Sequence, residues 1–219
     1  MGYQSPDHLM AMLLSTAYLP PVAYMAAALH AGSVCVEQHE TYRKQSCRNH
    51  CVIYGPNGKQ LLSIPVIKPS GNHTCTRDIR LSGAHSWQRN HWRSIQSAYR
   101  NAPFFPFFCD AFEPFYAKRY DFLIDLNDDL LRAVVTVTGL PVGLSRSDSF
   151  TPVAGNDPRI TLSSKHYLPG TPFPEYFQVF SPRHGFIPNL SILDVIFHLG
   201  TETVSYLRSW MKEAENATG

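Results

Sequence analysis

The densest run of polar side chains in this sequence extends over residues 37–50 and carries groups suited to acid–base and phosphate chemistry. His39 could act as a general base, because an imidazole titrates near neutral pH, and Glu40 could orient its ring. Lys44 and Arg48 could hold a phosphate or a carboxylate. No fixed spacing within the segment defines a reaction, so in isolation a polar loop with solvated charges describes it better.

The turn Tyr18-Leu19-Pro20-Pro21 ends the first apolar segment and would lie next to residues 37–50. A helix beginning at Pro21 would point its positive N-terminal end toward the same crevice, which suits an anion. A turn that only packs against the core explains these residues nearly as well.

Two histidines outside this region are further candidates. His91 lies on the apolar side of a predicted helix, where a histidine is more often a core residue than a catalyst. His184 precedes a loop with Gly and Pro and has no local structural explanation, whereas Asn189 in that loop is explained as a helix cap. The candidate catalytic residues are His39, Glu40, Lys44 and His184, and the candidate substrate-binding residues are Tyr18, Gln38, Tyr42, Arg48, Asn49, His91 and Asn189.

Composition excludes several classes of protein. The 219 residues are 44% hydrophobic and 16% charged, which excludes intrinsic disorder. Lys and Arg outnumber Asp and Glu by only 19 to 17, too little for a protein that follows a nucleic-acid backbone. The five cysteines form no zinc-binding pattern and the histidines are scattered, so we expect no metal site. Phosphate-loop, dinucleotide, serine-hydrolase and zinc-protease motifs are absent, and the sequence identifies no cofactor.

The apolar segment over residues 9–31 could be mistaken for a signal peptide or a membrane helix. No Lys or Arg precedes it, and Pro20-Pro21 interrupts it before the ~20 apolar residues that a membrane helix needs. We instead predict a buried strand over residues 10–16, a turn, and a helix over residues 22–30. An odd number of cysteines favours free thiols and a cytoplasmic location without a membrane span.

The remaining elements follow from apolar periodicity and turn residues. Strands are predicted over residues 33–37, 51–54, 61–66, 78–81, 142–144 and 176–180. Helices are predicted over residues 86–101, 126–137 and 191–211, with N-caps at Ser86, at Asn127 or Asp125, and at Ser191. The aromatic block over residues 103–116 should pack as core between helices, although part of it could line a ligand pocket. Residues 141–183 are predicted to be rich in loops.

Five motifs follow one another along the chain: LSTAYLPPVAY at residues 14–24, the polar block over residues 37–49, LSIPV at residues 62–66, WQRNHWRSI at residues 87–95 and GFIPNLSILD at residues 185–194. Together these motifs resemble the WbqC-like family of bacterial surface-polysaccharide gene clusters. The resemblance covers nearly the whole chain. It implies a role in polysaccharide biosynthesis, and glycyl transfer is the activity attached to the family.

We therefore expect one soluble cytoplasmic α/β domain over residues 1–219. A mixed sheet would open with a parallel strand–helix–strand unit, several helices would pack on it, and a helix would close the chain. The resemblance implies a transferase that adds a small acyl or aminoacyl group, such as glycyl, to an amino sugar, and a small-molecule substrate such as a nucleotide sugar. His39 would accept the amine proton, Lys44 and Arg48 would bind phosphate, and His184 or Asn189 would close the site.

Two other hypotheses remain open. The first is a non-catalytic ligand-binding or assembly protein that serves the enzymes of a biosynthetic complex. The second is nucleotidyl transfer, which the strand–turn–helix opening alone suggests. Neither hypothesis involves nucleic acid or a membrane span.

Overall fold

The computed structural model describes the backbone of residues 11–83, 86–155, 157–162 and 172–218, and side chains as far as residue 213. It confirms an α/β fold with a parallel opening unit, several packed helices and a C-terminal helix. Within the described residues, the parallel strands form one sheet and the antiparallel strands form two smaller pairs.

Strands are concentrated in the first third of the chain, and helices dominate the rest. The strands are β1 (Met12–Ser15), β2 (Ser33–Glu37), β3 (His50–Gly55), β4 (Gly58–Ser63), β5 (Val66–Ile67), β6 (Arg80–Leu81) and β7 (Gly143–Arg146). The α-helices are α1 (Val22–Ala31), α2 (Trp87–Tyr99), α3 (Phe105–Ala117), α4 (Leu123–Thr138), α5 (Pro158–Thr161), α6 (Ser181–His184), α7 (Ile192–Leu199) and α8 (Thr203–Thr218). Short 3-10 helices occupy Gly71–His73, Thr76–Asp78 and Gly200–Glu202.

The parallel sheet has the order β1-β2-β7, with β2 in the centre. The predicted strand over residues 33–37 is confirmed, and so is the crossover helix that connects it to β1. Residues 12–15 of the predicted first strand are extended, and Met10 lies outside the described residues. Helix α1 stops at Gly32, whose backbone is left-handed (φ 69°), a conformation that glycine adopts without steric cost.

The predicted hairpin is confirmed as β3 and β4, which pair around a tight turn between Gly55 and Gly58. The predicted strand over residues 61–66 is broken after Ser63, because Pro65 has no N–H to donate to a ladder. Val66 then begins a second antiparallel pair, β5 with β6. The predicted strand over residues 78–81 is correspondingly shorter, since Asp78 ends a 3-10 helix.

The long helices are confirmed, but one of the predicted caps is wrong. Ser86 stands at the N-cap position of α2, as predicted, although its side chain makes no capping hydrogen bond. Helix α4 begins before the predicted start, at Leu123, so Asn127 lies inside it and donates to Thr16 Oγ1 (3.1 Å) and the Arg48 carbonyl (2.8 Å). Most of the aromatic block forms α3, a helix that the sequence pattern did not predict.

The C-terminal helix is confirmed in two parts, α7 and α8, and Ser191 caps α7 by accepting from the Leu193 N–H (3.3 Å). The predicted strand over residues 176–180 is wrong. Tyr176 and Gln178 instead turn inward and donate to the buried carboxylate of Asp194 at 2.5 and 2.8 Å. Part of the predicted loop-rich segment, residues 156 and 163–171, lies outside the described residues.

One continuous apolar core joins the sheet to the helices, from Leu14 on β1 to Trp210 on α8. In the part of the chain that the structure describes, no helix combines the length and the apolar character required to cross a membrane. The core leaves the carboxyl ends of β1, β2 and β7 facing the polar segments, and charged side chains are buried there.

Candidate functional site

Four charged side chains are almost completely buried at the carboxyl edge of the parallel sheet. Their exposed fractions are 0% for Glu37, 5% for Glu40, 3% for Arg48 and 6% for Arg159. Burying charge is costly unless the groups are paired and hydrogen-bonded. Ligands of open parallel sheets bind at this edge, so we take it as the candidate functional site.

Glu40 and Arg48 form an ion pair in this site. Arg48 donates to Glu40 Oε1 from Nε (2.9 Å) and Nη2 (2.6 Å), and Nη2 also donates to Ser15 Oγ (2.7 Å) at the end of β1. Its Nη1 donates to Ser46 Oγ (3.1 Å). The guanidinium of Arg48 is therefore engaged within the protein rather than free for a phosphate, and the Glu40 carboxylate binds Arg48 rather than the His39 ring.

Glu37, at the end of β2, accepts hydrogen bonds from the Ser147 hydroxyl (2.9 Å) and from the amides of His39 (2.7 Å) and Thr151 (2.9 Å). Burial raises the pKa of Glu37, but the bonds from the Thr151 and His39 amides outweigh it and leave the pKa below its ordinary value. Glu37 is thus a carboxylate at neutral pH. It holds the ends of β2 and β7 together.

Arg159 covers Glu37 from the segment that follows β7. Its Nη1 lies 3.7 Å from Glu37 Oε2, and its guanidinium also donates to the Asp157 carboxylate and to the Thr151 carbonyl (2.8 Å). Arg159 was not predicted from the sequence, because no pattern in the predicted loop distinguishes it from a solvated arginine.

His39 is half-buried at the same edge, and its two ring nitrogens have different partners. Nε2 lies 3.2 Å from the Ser147 carbonyl oxygen, which can only accept, so Nε2 carries the proton. Nδ1 lies 3.3 Å from Arg77 Nη1, which can only donate, so Nδ1 presents its lone pair. These partners assign the ring proton to Nε2, so the Nδ1 lone pair points toward the half-exposed Arg77 side chain.

Gln38 and Tyr42 belong to the framework of this site. Gln38 Nε2 donates to the Ser147 carbonyl (2.7 Å), beside the bond from His39. Backbone bonds then hold residues 38–42 against residues 74–77, including Arg77 N–H to Gln38 O (3.0 Å) and Tyr42 N–H to Thr74 O (3.0 Å). These bonds place Arg77 opposite His39.

A groove of ≈ 580 Å³ begins at the end of β7, where Arg146 precedes the Ser147 that contacts His39. Helix α4 forms one wall and also packs on the 3-10 helix that carries Arg77. Charged side chains of both signs line the groove: Lys118, Arg119, Asp121, Asp125, Asp128, Asp129, Arg132 and Arg146. The size is within the range of small-molecule sites. These residues were not predicted as site residues from the sequence. The aspartates at helical spacing at the start of α4 were a signal that one face of this helix is acidic.

Tyr18 and His91 are brought together, but in the core. The Tyr18 hydroxyl lies 2.9 Å from His91 Nδ1 and 3.0 Å from the Tyr116 hydroxyl. Tyr18 is 0% exposed and His91 only 7%. Burial lowers the pKa of His91 to about 4, and a hydrogen bond with the Ser63 backbone offsets only part of this effect. His91 is therefore a neutral core residue at pH 7.

The expectation of an anion at the start of α1 is wrong. The first amides of the helix are occupied, since Val22 N–H donates to the Leu190 carbonyl (3.0 Å) and Ala23 N–H to Asn189 Oδ1 (2.9 Å). Asn189 thus caps α1 rather than α7. Both amides are buried beneath the loop that precedes α7.

His184 lies away from the other candidates. Its Nε2 is 3.0 Å from the Pro56 carbonyl, in the turn between β3 and β4. The polar block joins the other end of β3, six residues earlier, which corresponds to about 20 Å of extended strand. The structure therefore does not bring His184 to His39.

Lys44 and Asn49 occupy different environments. Lys44 is exposed and close to Lys68, whereas Asn49 is buried and donates from its side-chain amide to the Ile64 carbonyl (3.0 Å). Burial raises the pKa of the Cys51 thiol, so this cysteine is not a thiolate at neutral pH. Across the described ranges, no three His, Cys, Asp or Glu side chains come together as metal ligands.

Comparison of the sequence with known proteins shows which family the chain belongs to. The chain is 25% identical over 223 residues to the uncharacterized protein Rv1507c of Mycobacterium tuberculosis, an alignment that covers 90% of this chain and 96% of the relative. No solved structure matches the chain. The sequence profile of the WbqC-like protein family matches residues 16–171, which include β2, the polar block, the groove and Arg159. The chain therefore belongs to the WbqC-like protein family.

Proposed function

We propose that this protein transfers a small acyl or aminoacyl group, such as glycyl, to the amine of an amino sugar in the cytoplasmic assembly of a bacterial surface polysaccharide. The observation that carries the proposal is the setting of the His39 ring, with Nε2 3.2 Å from the Ser147 carbonyl and Nδ1 3.3 Å from Arg77 Nη1, which assigns the lone pair to Nδ1. A histidine held in this way at the carboxyl edge of a parallel sheet is suited to general-base catalysis.

The reaction begins when the amine nitrogen of the acceptor attacks the carbonyl carbon of an activated acyl donor. A new N–C bond forms, the bond between the acyl carbon and its thiol or hydroxyl leaving group breaks, and the leaving group departs with that electron pair. His39 Nδ1 takes the proton that the amine loses and returns it to the leaving group. Because Arg77 Nη1 lies 3.3 Å from this nitrogen, the proposal requires the half-exposed Arg77 side chain to leave Nδ1 when the amine binds.

The buried charges position this base. Glu37 accepts from the His39 amide and from the Ser147 hydroxyl, while the Ser147 carbonyl accepts from the ring. Because Ser147 makes both contacts, a shift of β7 relative to β2 would move the ring. The Glu40–Arg48 ion pair likewise fixes the end of β1, because Arg48 also donates to the Ser15 hydroxyl.

The test is a transfer assay with the whole chain. Amino sugars, free and nucleotide-linked, are incubated with acyl-coenzyme A or aminoacyl donors, and products are identified by mass spectrometry. The proposal expects one donor–acceptor pair to give an amide product at a rate proportional to enzyme concentration. Absence of product from every pair, with a folded sample that binds neither donor nor acceptor in thermal-shift measurements, contradicts it.

A non-catalytic assembly role is the second candidate, and exposed aromatic side chains favour it. Phe107, Phe177 and Phe150 are 76%, 61% and 53% exposed, and such side chains can anchor a protein partner. This candidate expects stable co-purification with a glycosyltransferase and loss of the complex when these phenylalanines become serine. An isolated chain that turns over substrate argues against it.

A further inference from the structure

The arginines at the carboxyl edge of the parallel sheet differ in how far solvent reaches them. Arg48 and Arg159 are almost completely buried, and several hydrogen bonds hold each guanidinium within the protein. Arg146 is paired with two aspartates of α4. The Arg77 side chain, by contrast, is 50% exposed. Of these four guanidiniums, that of Arg77 is therefore the one that a ligand reaches most easily from solvent.

Arg77 points this guanidinium at the lone pair of the candidate base. Its Nη1 lies 3.3 Å from His39 Nδ1, whereas its Nε lies 3.8 Å from the exposed Asp78 carboxylate, beyond hydrogen-bond distance. A guanidinium keeps its protons and can only donate. Arg77 therefore covers the nitrogen that has to accept a proton in general-base catalysis, and the base is blocked as long as this contact persists.

The backbone of Arg77 is fixed, but its side chain is held only weakly. The Arg77 N–H donates to the Gln38 carbonyl (3.0 Å), and the amides of Asp78 and Ile79 also donate to backbone carbonyls. The guanidinium itself is held by one hydrogen bond to a neutral ring and by an exposed ion pair, and such contacts stabilise little in water. The head group can therefore leave His39 while the Cα atom stays in place.

An oxyanion within reach would compete with the imidazole for this guanidinium. A carboxylate or a phosphate carries the opposite charge and accepts two parallel N–H bonds from the planar fork. The His39 ring is neutral in the assigned tautomer and offers a single lone pair at Nδ1. The oxyanion is thus the stronger partner, and binding it would draw Arg77 away from the ring.

We propose that Arg77 is a removable cover of the His39 base. It donates to Nδ1 in the free protein and moves onto a phosphate or carboxylate group of the ligand when that group binds. The inference rests on the proposed function, because it takes His39 as the base, and it adds an order of binding. The substrate that carries the oxyanion binds first and uncovers Nδ1 for the amine.

Chemical modification of His39 in the full chain tests the inference without any donor or turnover. Diethyl pyrocarbonate transfers a carbethoxy group to an unprotonated ring nitrogen, and peptide mass spectrometry gives the rate at each histidine. We expect Arg77→Met to be modified at His39 about three- to ten-fold faster than the parent, because a hydrogen bond from a charged group contributes a factor of this order. Arg77→Lys keeps a cationic donor and should retain part of the protection. Arg43→Met, an exposed neighbour, is the control and should leave the rate at His39 unchanged.

Inorganic phosphate and acetate are the oxyanion probes, and chloride at the same ionic strength is the reference for screening. In the parent, at least one of the two oxyanions should raise the rate at His39 toward that of Arg77→Met, and the one that acts identifies the ligand group as a phosphate or a carboxylate. Neither should change the rate at His39 in Arg77→Met, nor at the exposed His30 in any sample. Equal rates at His39 in the parent and Arg77→Met, or a parent that responds to neither oxyanion, overturns the inference.

The two proposals fail in different ways. Modification of His39 that depends on Arg77 and on an oxyanion, without transfer to any acceptor, leaves the cover intact and refutes the transferase. Transfer by a chain in which modification of His39 depends on neither Arg77 nor an oxyanion leaves the transferase intact and refutes the cover.

Discussion

Arg48 donates two hydrogen bonds to a single carboxylate oxygen of Glu40, at 2.9 and 2.6 Å, and both side chains are almost completely buried. The same guanidinium reaches Ser15, so the pair links the polar block to the end of β1. A buried ion pair of this kind stabilises little relative to an apolar pair. Breaking it, however, leaves one charge without a partner.

We predict that Arg48→Met destabilises the fold by about 3–5 kcal/mol, because Glu40 is left as a buried carboxylate without its partner. The double variant Glu40→Leu with Arg48→Met should lose clearly less of the free energy of unfolding than the single variant does. Urea unfolding followed by circular dichroism measures both. Arg43→Met, an exposed neighbour, is the control and should stay within about 0.5 kcal/mol of the parent. A double variant as unstable as the single one would contradict the pairing.

Acid should destabilise the protein through His91. The pKa of His91 is lowered by burial to about 4, whereas the unfolded chain titrates near its ordinary value of about 6.5. As the pH falls from about 6.5 to 4, the unfolded state gains a proton that the folded state does not, so stability decreases. The full difference amounts to about 3 kcal/mol.

The free energy of unfolding, measured in urea at several pH values, tests this prediction against His91→Asn, which cannot titrate. The parent should lose stability in this window, and the variant should lose about 3 kcal/mol less. Glu37 adds to this loss only at the lower end of the window and below it, because the unfolded carboxyl takes up its proton near its ordinary value of 4.5 while the folded one, with its lowered pKa, does not. This contribution is the same in parent and variant. Parallel pH profiles for parent and variant would be inconsistent with a buried neutral His91.

Asn189 should stabilise the fold through both its side chain and its backbone conformation. Its Oδ1 caps α1 at Ala23, and its backbone is left-handed, with φ 51°. Asn189→Ala should cost about 2 kcal/mol, from the lost cap and the strained conformation together. Asn189→Gly should cost only about half of this, because glycine adopts the same φ freely. Thermal unfolding ranks the variants, and a glycine variant less stable than the alanine variant would disprove this explanation.

The secondary structure was predictable where local residues determine it. Gly32 ends α1, and the glycines at residues 55 and 58 bracket the hairpin, so these boundaries agree with the structure. The prediction over residues 176–180 failed because Tyr176 and Gln178 are held by hydrogen bonds to Asp194, a distant partner that no local pattern reveals. That the whole chain forms one domain stays a prediction.

The site was predictable only in part. His39 and Glu40 stand out as polar residues directly after a predicted strand. Arg48 lies beside Glu40 in the structure, but this pairing was not predicted, because no local pattern shows which side chains the fold brings together. Arg159 and the groove residues come from segments far along the chain, so only the tertiary structure assembles them with His39.

The measurement that tests the central claim most directly is the transfer rate of His39→Ala, compared with that of His30→Ala. His30 is exposed at the other end of α1, away from the carboxyl edge, and serves as the control. We predict that the His39 variant keeps its fold and loses about 10²- to 10⁴-fold in rate, because general-base catalysis contributes a factor of this size. The His30 variant should transfer at the rate of the parent. A His39 variant that also transfers at the parent rate would contradict the placement of the catalytic base at this edge of the sheet.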